Sequence, residues 1–378
     1  MTPTILDFTQ ADDGRDIVHR AVQALAEGQL VGLPTESNYC LVAAAHDLSA
    51  VEQASAVAAV IDGEPLLTVA VKSGDEAADW APGLEPLARR LARRCWPGPL
   101  AMLIRGDHPE GLVRQLPSAV QPRLLAADQI RLRAPNHTVL TDCMRLFAGP
   151  VVLAEPGNQA APPTTVPELL KCCASSGQPP LVVDAGPLPH GGPVSTIEIA
   201  AGRFTMRRQG ELDAATLQRM ARLLVLFVCT GNTCRSPMAE AIFRDLVARR
   251  LGCGPAELEA NGVMVASAGL SAWGGSPASD SAIAVVGEQG IDLSGHASQP
   301  LTERLARQAD VIWTMTAAHR AAILAQFPDL ADRVWMLSPG RRDVIDPIGG
   351  SQETYRRCAA QIREHLESRI DTLGLAAG

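Results

Sequence analysis

Leu223-Leu224-Val225-Leu226-Phe227 is a short apolar run that reads as a buried strand, and the residues after it restrict the fold severely. The run leads into Val228-Cys229-Thr230-Gly231-Asn232-Thr233-Cys234-Arg235-Ser236-Pro237. From Met238 to Arg250 apolar residues recur at helical spacing. A helix is therefore expected to start near Pro237, where a missing N–H costs nothing. Strand, tight loop and helix N-terminus together aim several backbone N–H groups at one point, and the helix dipole adds partial positive charge there. Such a point binds phosphate.

Cys229 lies at the centre of that loop, and the same field favours its thiolate. Arg235 can grip two phosphate oxygens with its planar fork, which a lysine cannot do. Ser236 can donate a hydrogen bond to the thiolate, and Gly231 permits the backbone twist of the loop. Cys229 is thus the candidate nucleophile facing phosphorus. Thr230, Gly231, Asn232, Thr233, Cys234 and Ser236 are the candidate phosphate-binding residues. The plainer reading is a buried cysteine and a surface arginine sharing a turn. A glycine, an asparagine, two threonines and a serine match a phosphate cradle and no core.

Val228 to Phe243 closely resembles the active-site segment of the low-molecular-weight protein tyrosine phosphatases, above all their bacterial branch, the protein arginine phosphatases. The resemblance runs on to the end of the chain. It implies an α/β domain with a doubly wound, parallel, four-stranded sheet. It also implies a phosphocysteine intermediate, a phosphorylated protein as substrate, and neither metal nor cofactor. Asp346-Pro347 matches the family's general acid, which protonates the leaving group. On its own, Asp-Pro is a common turn dipeptide, and Asp343 is the close rival.

Tyrosine phosphatases usually follow Asp-Pro with aromatic residues, whereas Asp346-Pro347-Ile348-Gly349-Gly350-Ser351 has none. Thr233 stands where the arginine phosphatases have Thr and the tyrosine phosphatases a bulkier aliphatic residue. Thr314-Met315-Thr316-Ala317-Ala318-His319 also looks like the arginine branch. Phosphoarginine is the expected substrate, with phosphotyrosine second. His319 otherwise reads as a surface helix residue without a catalytic role. Trp273 reads as core packing, with the pocket mouth as the other reading. For Cys234 the resemblance implies a reversible disulfide with Cys229, and the plain reading is a small buried filler. Arsenate reductases share the fold and loop but need further cysteines after the third strand. Only Cys253 and Cys358 follow the loop here.

The rest of this half alternates strands and helices. Strands are expected at Val263–Gly269, Ala309–Met315 and Val334–Leu337. Helices are expected at Ala278–Gln289, Ala317–Gln326 and Gln352–Thr372. That order implies a parallel sheet with helices on both faces and the loop at its carboxyl edge.

The first half begins with an amphipathic helix, Gly14–Glu27, closed by Gly28. Strand-like runs follow at Leu30–Leu33 and Glu64–Val71, Cys95–Ile104 is a turn leading into a strand, and the apolar segments Pro150–Asn158 and Leu181–Gly186 come after it. The Trp96-Pro97-Gly98-Pro99 turn, the Arg133-Ala134-Pro135 segment and the Ser195-Thr196 pair resemble the threonylcarbamoyl-AMP synthase family. The likeness spans residues 10–212 and implies a YrdC-like α/β domain with ATP as ligand. Matched onto this chain, the nucleotide-binding residues are Thr35, Tyr39, Arg133 and Ser195. The chain also departs from that pattern. The family's Pro-Thr-Asp-Thr-x-Tyr-Gly is Pro34-Thr35-Glu36-Ser37-Asn38-Tyr39-Cys40 here. No basic residue stands between Val57 and Asp62, where the family has Lys-x-Arg, and Ser-Ala-Asn becomes Pro156-Gly157-Asn158 preceded by Glu155. An acidic residue beside phosphates repels them. The expectation is a degenerate or repurposed ligand-binding domain at residues 1–212, with an active synthase, a nucleotide- or double-stranded-RNA-binding module and a structural spacer as the other readings, then a connector helix at 213–222 and the phosphatase domain at 223–378.

The net charge is −8 and both halves are acidic, which does not support RNA as a partner and leaves a local basic groove as its only route. Nine cysteines without framework or metal-ligand spacing suit a reducing, cytoplasmic compartment. No apolar run is long enough to span a membrane.

Overall fold

The computed structural model describes residues 2–375 apart from 62–63, 66, 158–160, 175–178, 189–190 and 341, with the backbone alone for 61, 64 and 65. Asp62 and Asn158 therefore lie outside the described residues. The chain divides into two compact units, Met1–Met220 and Ala221–Gly378. The connector helix runs from Ala214 to Ala221, and the Asp213 carboxylate accepts the Thr216 N–H at 2.7 Å. Among the described residues no helix is long and apolar enough to cross a membrane.

In the first unit eleven strands form one mixed sheet. Val31–Pro34 and Tyr39–Ala44 pair antiparallel across the turn Thr35–Asn38. Gln129–Arg133 lies further along the same sheet, between Thr68–Ala70 and Leu100–Arg105. The amphipathic helix Gly14–Ala26 turns Ile17, Ala21 and Leu25 onto Leu33, Val42 and Leu153. Gly28 ends it at φ +74°, a conformation that favours a residue without Cβ. The strand expected over Glu64–Val71 is two pieces. Glu64–Pro65 pairs with Val60–Ile61, while Thr68–Ala70 enters the large sheet. Pro65 has no N–H to give to a continuous ladder.

The second unit has a parallel sheet ordered Val263–Gly269, Leu223–Cys229, Val311–Thr314, Val334–Met336. Its strand Leu223–Cys229 is buried at every position. Odd residues Val225 and Phe227 face one apolar cluster, and even residues Leu224, Leu226 and Val228 face the other. This two-residue period, apolar on both faces, is why the strand reads as a continuous apolar run. Helices Arg235–Leu251, Asp280–Gly287 and Gln352–Ile370 contribute Phe243, Val285 and Ile362 to the first cluster. Glu303–Gln308 and Ala317–Gln326 contribute Ala306 and Ile323 to the second. Phe227, Phe243 and Trp313 pack with ring centroids 5.5–5.6 Å apart beneath the loop.

Candidate active site

The loop leaves the central strand at its carboxyl end and becomes helical at Arg235, two residues before Pro237. Its shape depends on Asn232. This residue has φ +55°, which costs an ordinary side chain energy that Asn avoids best after Gly. Asn232 is fully buried and its polar groups are all engaged. Its Nδ2 donates to Ser236 Oγ and Ser267 Oγ at 2.9 Å each. Its Oδ1 accepts the Gln299 N–H at 2.8 Å, and its carbonyl accepts from His296 Nε2 at 2.8 Å. With the side chain pinned, the Asn232 N–H turns to the Cys229 sulfur at 3.3 Å.

Ser236 Oγ lies 3.0 Å from Cys229 Sγ. The Asn232 amide fills an acceptor site on that hydroxyl, so its hydrogen goes to the sulfur at 3.0 Å or to the Ala268 carbonyl at 3.4 Å, and the sulfur is the nearer. Cys229 thus sits 3 % exposed beneath a cavity of about 180 Å³. Thr230, Gly231, Thr233, Cys234, Arg235, Asp346 and Ile348 line the walls. The sequence places Cys229, Arg235 and Asp346 together, and in the fold they share this one cavity. Arg235 Nη2 meets Asp346 Oδ2 at 2.7 Å, an ion pair buried on the arginine side and half exposed on the carboxylate side. Asp343 is outside the cavity lining. Its carboxylate accepts the Ala317 N–H at 2.8 Å at the start of a helix.

Several expectations change. Asn232 and Ser236 support the loop and the sulfur from behind, and their side chains do not line the cavity. Trp273 is 87 % exposed and packs in no core. Its segment ends the loop side of the sheet, where Ser271 N–H donates to the Thr230 carbonyl at 2.9 Å. His319 is no surface residue. It is buried, and its Nε2 lies 2.9 Å from Thr230 Oγ1. Burial and the Arg235 charge push its pKa down, against Asp346 and Asp343. Its place in the first turn after Thr316, at the carboxyl edge of the sheet, was the available signal. Tyr355 was also missed. Its hydroxyl lies 3.4 Å from the Cys234 sulfur and 3.4 Å from Ser279 Oγ, so Cys234 has polar company at the cavity wall.

The first unit has a second polar centre. Thr35 and Arg133 meet, with Arg133 Nη2 3.4 Å from Thr35 Oγ1. Tyr39 and Ser195 are engaged elsewhere. The Tyr39 hydroxyl donates to the Gly186 carbonyl at 2.8 Å, and burial pushes its pKa up to about 12. Ser195 Oγ exchanges hydrogen bonds with the Leu212 backbone at 2.8 Å. Glu155 stands among three arginines. Arg208 lies 2.5 Å from its carboxylate, Arg131 3.3 Å and Arg133 4.0 Å. Burial would raise the Glu155 pKa, but Arg131, Arg208 and Arg133 outweigh it and hold the carboxyl below its usual range. Glu36 takes the other side of Arg133 at 2.8 Å and accepts the Asn136 N–H at 2.7 Å. Two carboxylates already hold the cations of this cluster, so the residues present do not fit a triphosphate.

Residues 224–375 match the family model described as low molecular weight phosphotyrosine protein phosphatase. Residues 23–210 match the Sua5/YciO/YrdC model, described as telomere recombination. The protein-arginine-phosphatase of Bacillus subtilis is 40% identical over 146 residues, 38% of this chain and 91% of that protein. The protein-arginine-phosphatase of Geobacillus stearothermophilus is 38% identical, over 39% of this chain and 92% of its own length. The probable low molecular weight protein-tyrosine-phosphatase EpsP of Ralstonia solanacearum is 35% identical, over 40% of this chain and 97% of its own length. The chain belongs to the low molecular weight phosphotyrosine protein phosphatase family, and it carries that domain behind one of the Sua5/YrdC family.

Proposed function

We propose that residues 221–378 act as a cysteine-dependent protein phosphatase on phosphoarginine in proteins. The observation that carries this reading is the cavity itself, with the Cys229 sulfur at its base and Arg235 and Asp346 on its walls. The Cys229 thiolate attacks phosphorus, an S–P bond forms, and the bond from phosphorus to the leaving nitrogen breaks. Asp346 gives its proton to that nitrogen. Arg235 and the loop N–H groups hold the equatorial phosphoryl oxygens. Water then gives a proton to Asp346 and attacks phosphorus, the S–P bond breaks, and phosphate leaves with Cys229 again a thiolate. No metal or cofactor enters this scheme.

Two features support the guanidinium as leaving group. Thr233 offers a hydroxyl at the cavity wall, and among the described residues the lining holds no aromatic ring. Two relatives named as arginine phosphatases support it further. Phosphotyrosine is the second reading, supported by the relative named as a tyrosine phosphatase and by the apolar side chain of Ile348 at the mouth. We place the protein in the cytoplasm, since all nine cysteines are unpaired. The test is a side-by-side assay on phosphoarginine and phosphotyrosine peptides. A higher kcat/KM on phosphoarginine is expected, and a preference for phosphotyrosine replaces the first reading by the second. Cys229→Ser should abolish turnover on both and still bind inorganic phosphate. A Cys229→Ser enzyme with wild-type rates overturns the mechanism.

For the first unit we propose that the Sua5/YrdC fold is kept without synthesis of an adenylate, because Glu36 and Glu155 hold the arginines that would otherwise meet an anionic ligand.

A further inference from the structure

His319 is a buried titratable group beside the cavity, and this chemistry does not use it. It is 7 % exposed. Its ring is hydrogen-bonded to the cavity wall at Thr230 Oγ1, with Nε2 2.9 Å away. Its other ring nitrogen, Nδ1, is buried and has no hydrogen-bond partner among the described residues. Thr230 in turn lines the cavity over Cys229, and His319 is the only side chain seen to engage its hydroxyl among the described residues.

A neutral imidazole carries one proton, and the two tautomers have opposite consequences. With the proton on Nδ1, a buried N–H has no acceptor, and the Thr230 hydroxyl must spend its hydrogen on Nε2. With the proton on Nε2, the buried orphan is a lone pair, and the ring donates to Thr230 Oγ1. Orphaned buried donors are the rarer and costlier of the two defects. The Nε2–H tautomer therefore wins. The Thr230 oxygen then has an acceptor site filled, and its hydrogen is free to point into the cavity.

We propose that His319 is a positioning residue, and that by donating to Thr230 Oγ1 it turns the Thr230 hydroxyl into a donor to a phosphoryl oxygen of the substrate. This rests on the phosphatase reading of the same cavity. The side chain acts with the loop N–H groups and Arg235, and through a residue 89 positions away in the chain. The interaction is charge-assisted, since the acceptor is a phosphoryl oxygen.

The experiment is a double-mutant cycle on the full chain with Thr230→Val, His319→Leu and the pair. Two quantities are read: kcat/KM on para-nitrophenyl phosphate, and the affinity for inorganic phosphate by calorimetry. Each single variant should lose about 10- to 100-fold in kcat/KM, the range for one hydrogen bond to a charged group. The double variant should be no worse than Thr230→Val alone, because His319 acts only through that hydroxyl. His319→Gln keeps an N–H donor on a side chain of similar reach and should recover most of the rate, and it also covers the case in which His319→Leu fails to fold. Additive losses in the double variant, or a His319→Gln enzyme as slow as His319→Leu with an unchanged melting temperature, overturn the proposal. A wild-type protein without turnover would sink the phosphatase reading. The phosphate affinities would still decide this one, since Thr230→Val and His319→Leu should weaken binding equally and not additively.

Discussion

Asp346 is committed to Arg235 at 2.7 Å while its carboxylate stays half in solvent. A phosphoryl group entering the cavity competes for the same guanidinium, so binding releases Asp346 to face the leaving group. This exchange predicts two opposite effects of Asp346→Asn. The variant loses its general acid, which is worth about 10²- to 10⁴-fold in rate. It also loses the internal rival for Arg235, so inorganic phosphate should inhibit it at least as strongly as it inhibits wild type. Steady-state kinetics with added phosphate read both, and an inhibition constant raised well above the wild-type value counts against the exchange. Cys229 and Arg235 were legible from the chemistry of their loop, whereas Asp346 was legible only through the family resemblance, since Asp-Pro on its own is a common turn dipeptide. His319 was not, because its meaning lies in a 2.9 Å contact with Thr230 that no local pattern encodes. Asn232 was legible as a loop residue, but its buried amide network and its left-handed backbone appear only in three dimensions.

At the scale of elements, the loop is held by what lies directly beside it. Gly269 ends the strand Val263–Gly269, and a Cβ there would come within 2.5 Å of the Thr230 carbonyl oxygen and 2.9 Å of the Asn232 nitrogen. Both are backbone atoms, so no rotamer relieves the clash. Gly269→Ala should push the loop off Cys229. We expect it to cost about 1–3 kcal/mol of stability and to lower kcat/KM more than a loss of that size alone would. Thermal unfolding and kinetics on the same sample check this, and a variant with native activity refutes it. The elements themselves were legible where both faces of a strand are apolar or where a cap precedes a periodic run. Val263–Gly269 and Ala317–Gln326 lie where the sequence puts them. Leu48–Val57 and Thr138–Leu146 did not stand out. The first is rich in small residues whose apolar stripe is faint, and the second begins after a histidine cap, His137, which is outside the usual set of capping residues.

At the scale of the molecule, two units share one chain, and in the first the arginines of the polar centre are paired with Glu36 and Glu155. The division into units was legible from two unrelated sets of motifs. The state of the first unit's polar centre was legible only in part. Glu36 and Glu155 stood out as departures, but their capture of Arg131, Arg133 and Arg208 depends on four separated segments meeting. From threonine, bicarbonate and ATP the full chain should yield no threonylcarbamoyl adenylate, and robust formation would show that the carboxylates move aside.

A polar centre that carries its own counter-ions has a thermal consequence. Ligands stabilise a fold by mass action only in proportion to their affinity for it. The calorimetric melting profile of the full chain should therefore be the same with and without millimolar ATP, and an upward shift would reveal a nucleotide site. Acid acts in the other direction. The Glu155 pKa is lowered in the folded unit, so its contribution is complete above the ordinary carboxyl range and fades as the pH falls through the depressed value. Below that point Arg131, Arg133 and Arg208 lose the Glu155 charge they share, and Glu36 holds Arg133 alone. The first unit would then be indifferent to the nucleotide supply of the cell and vulnerable to acidification instead.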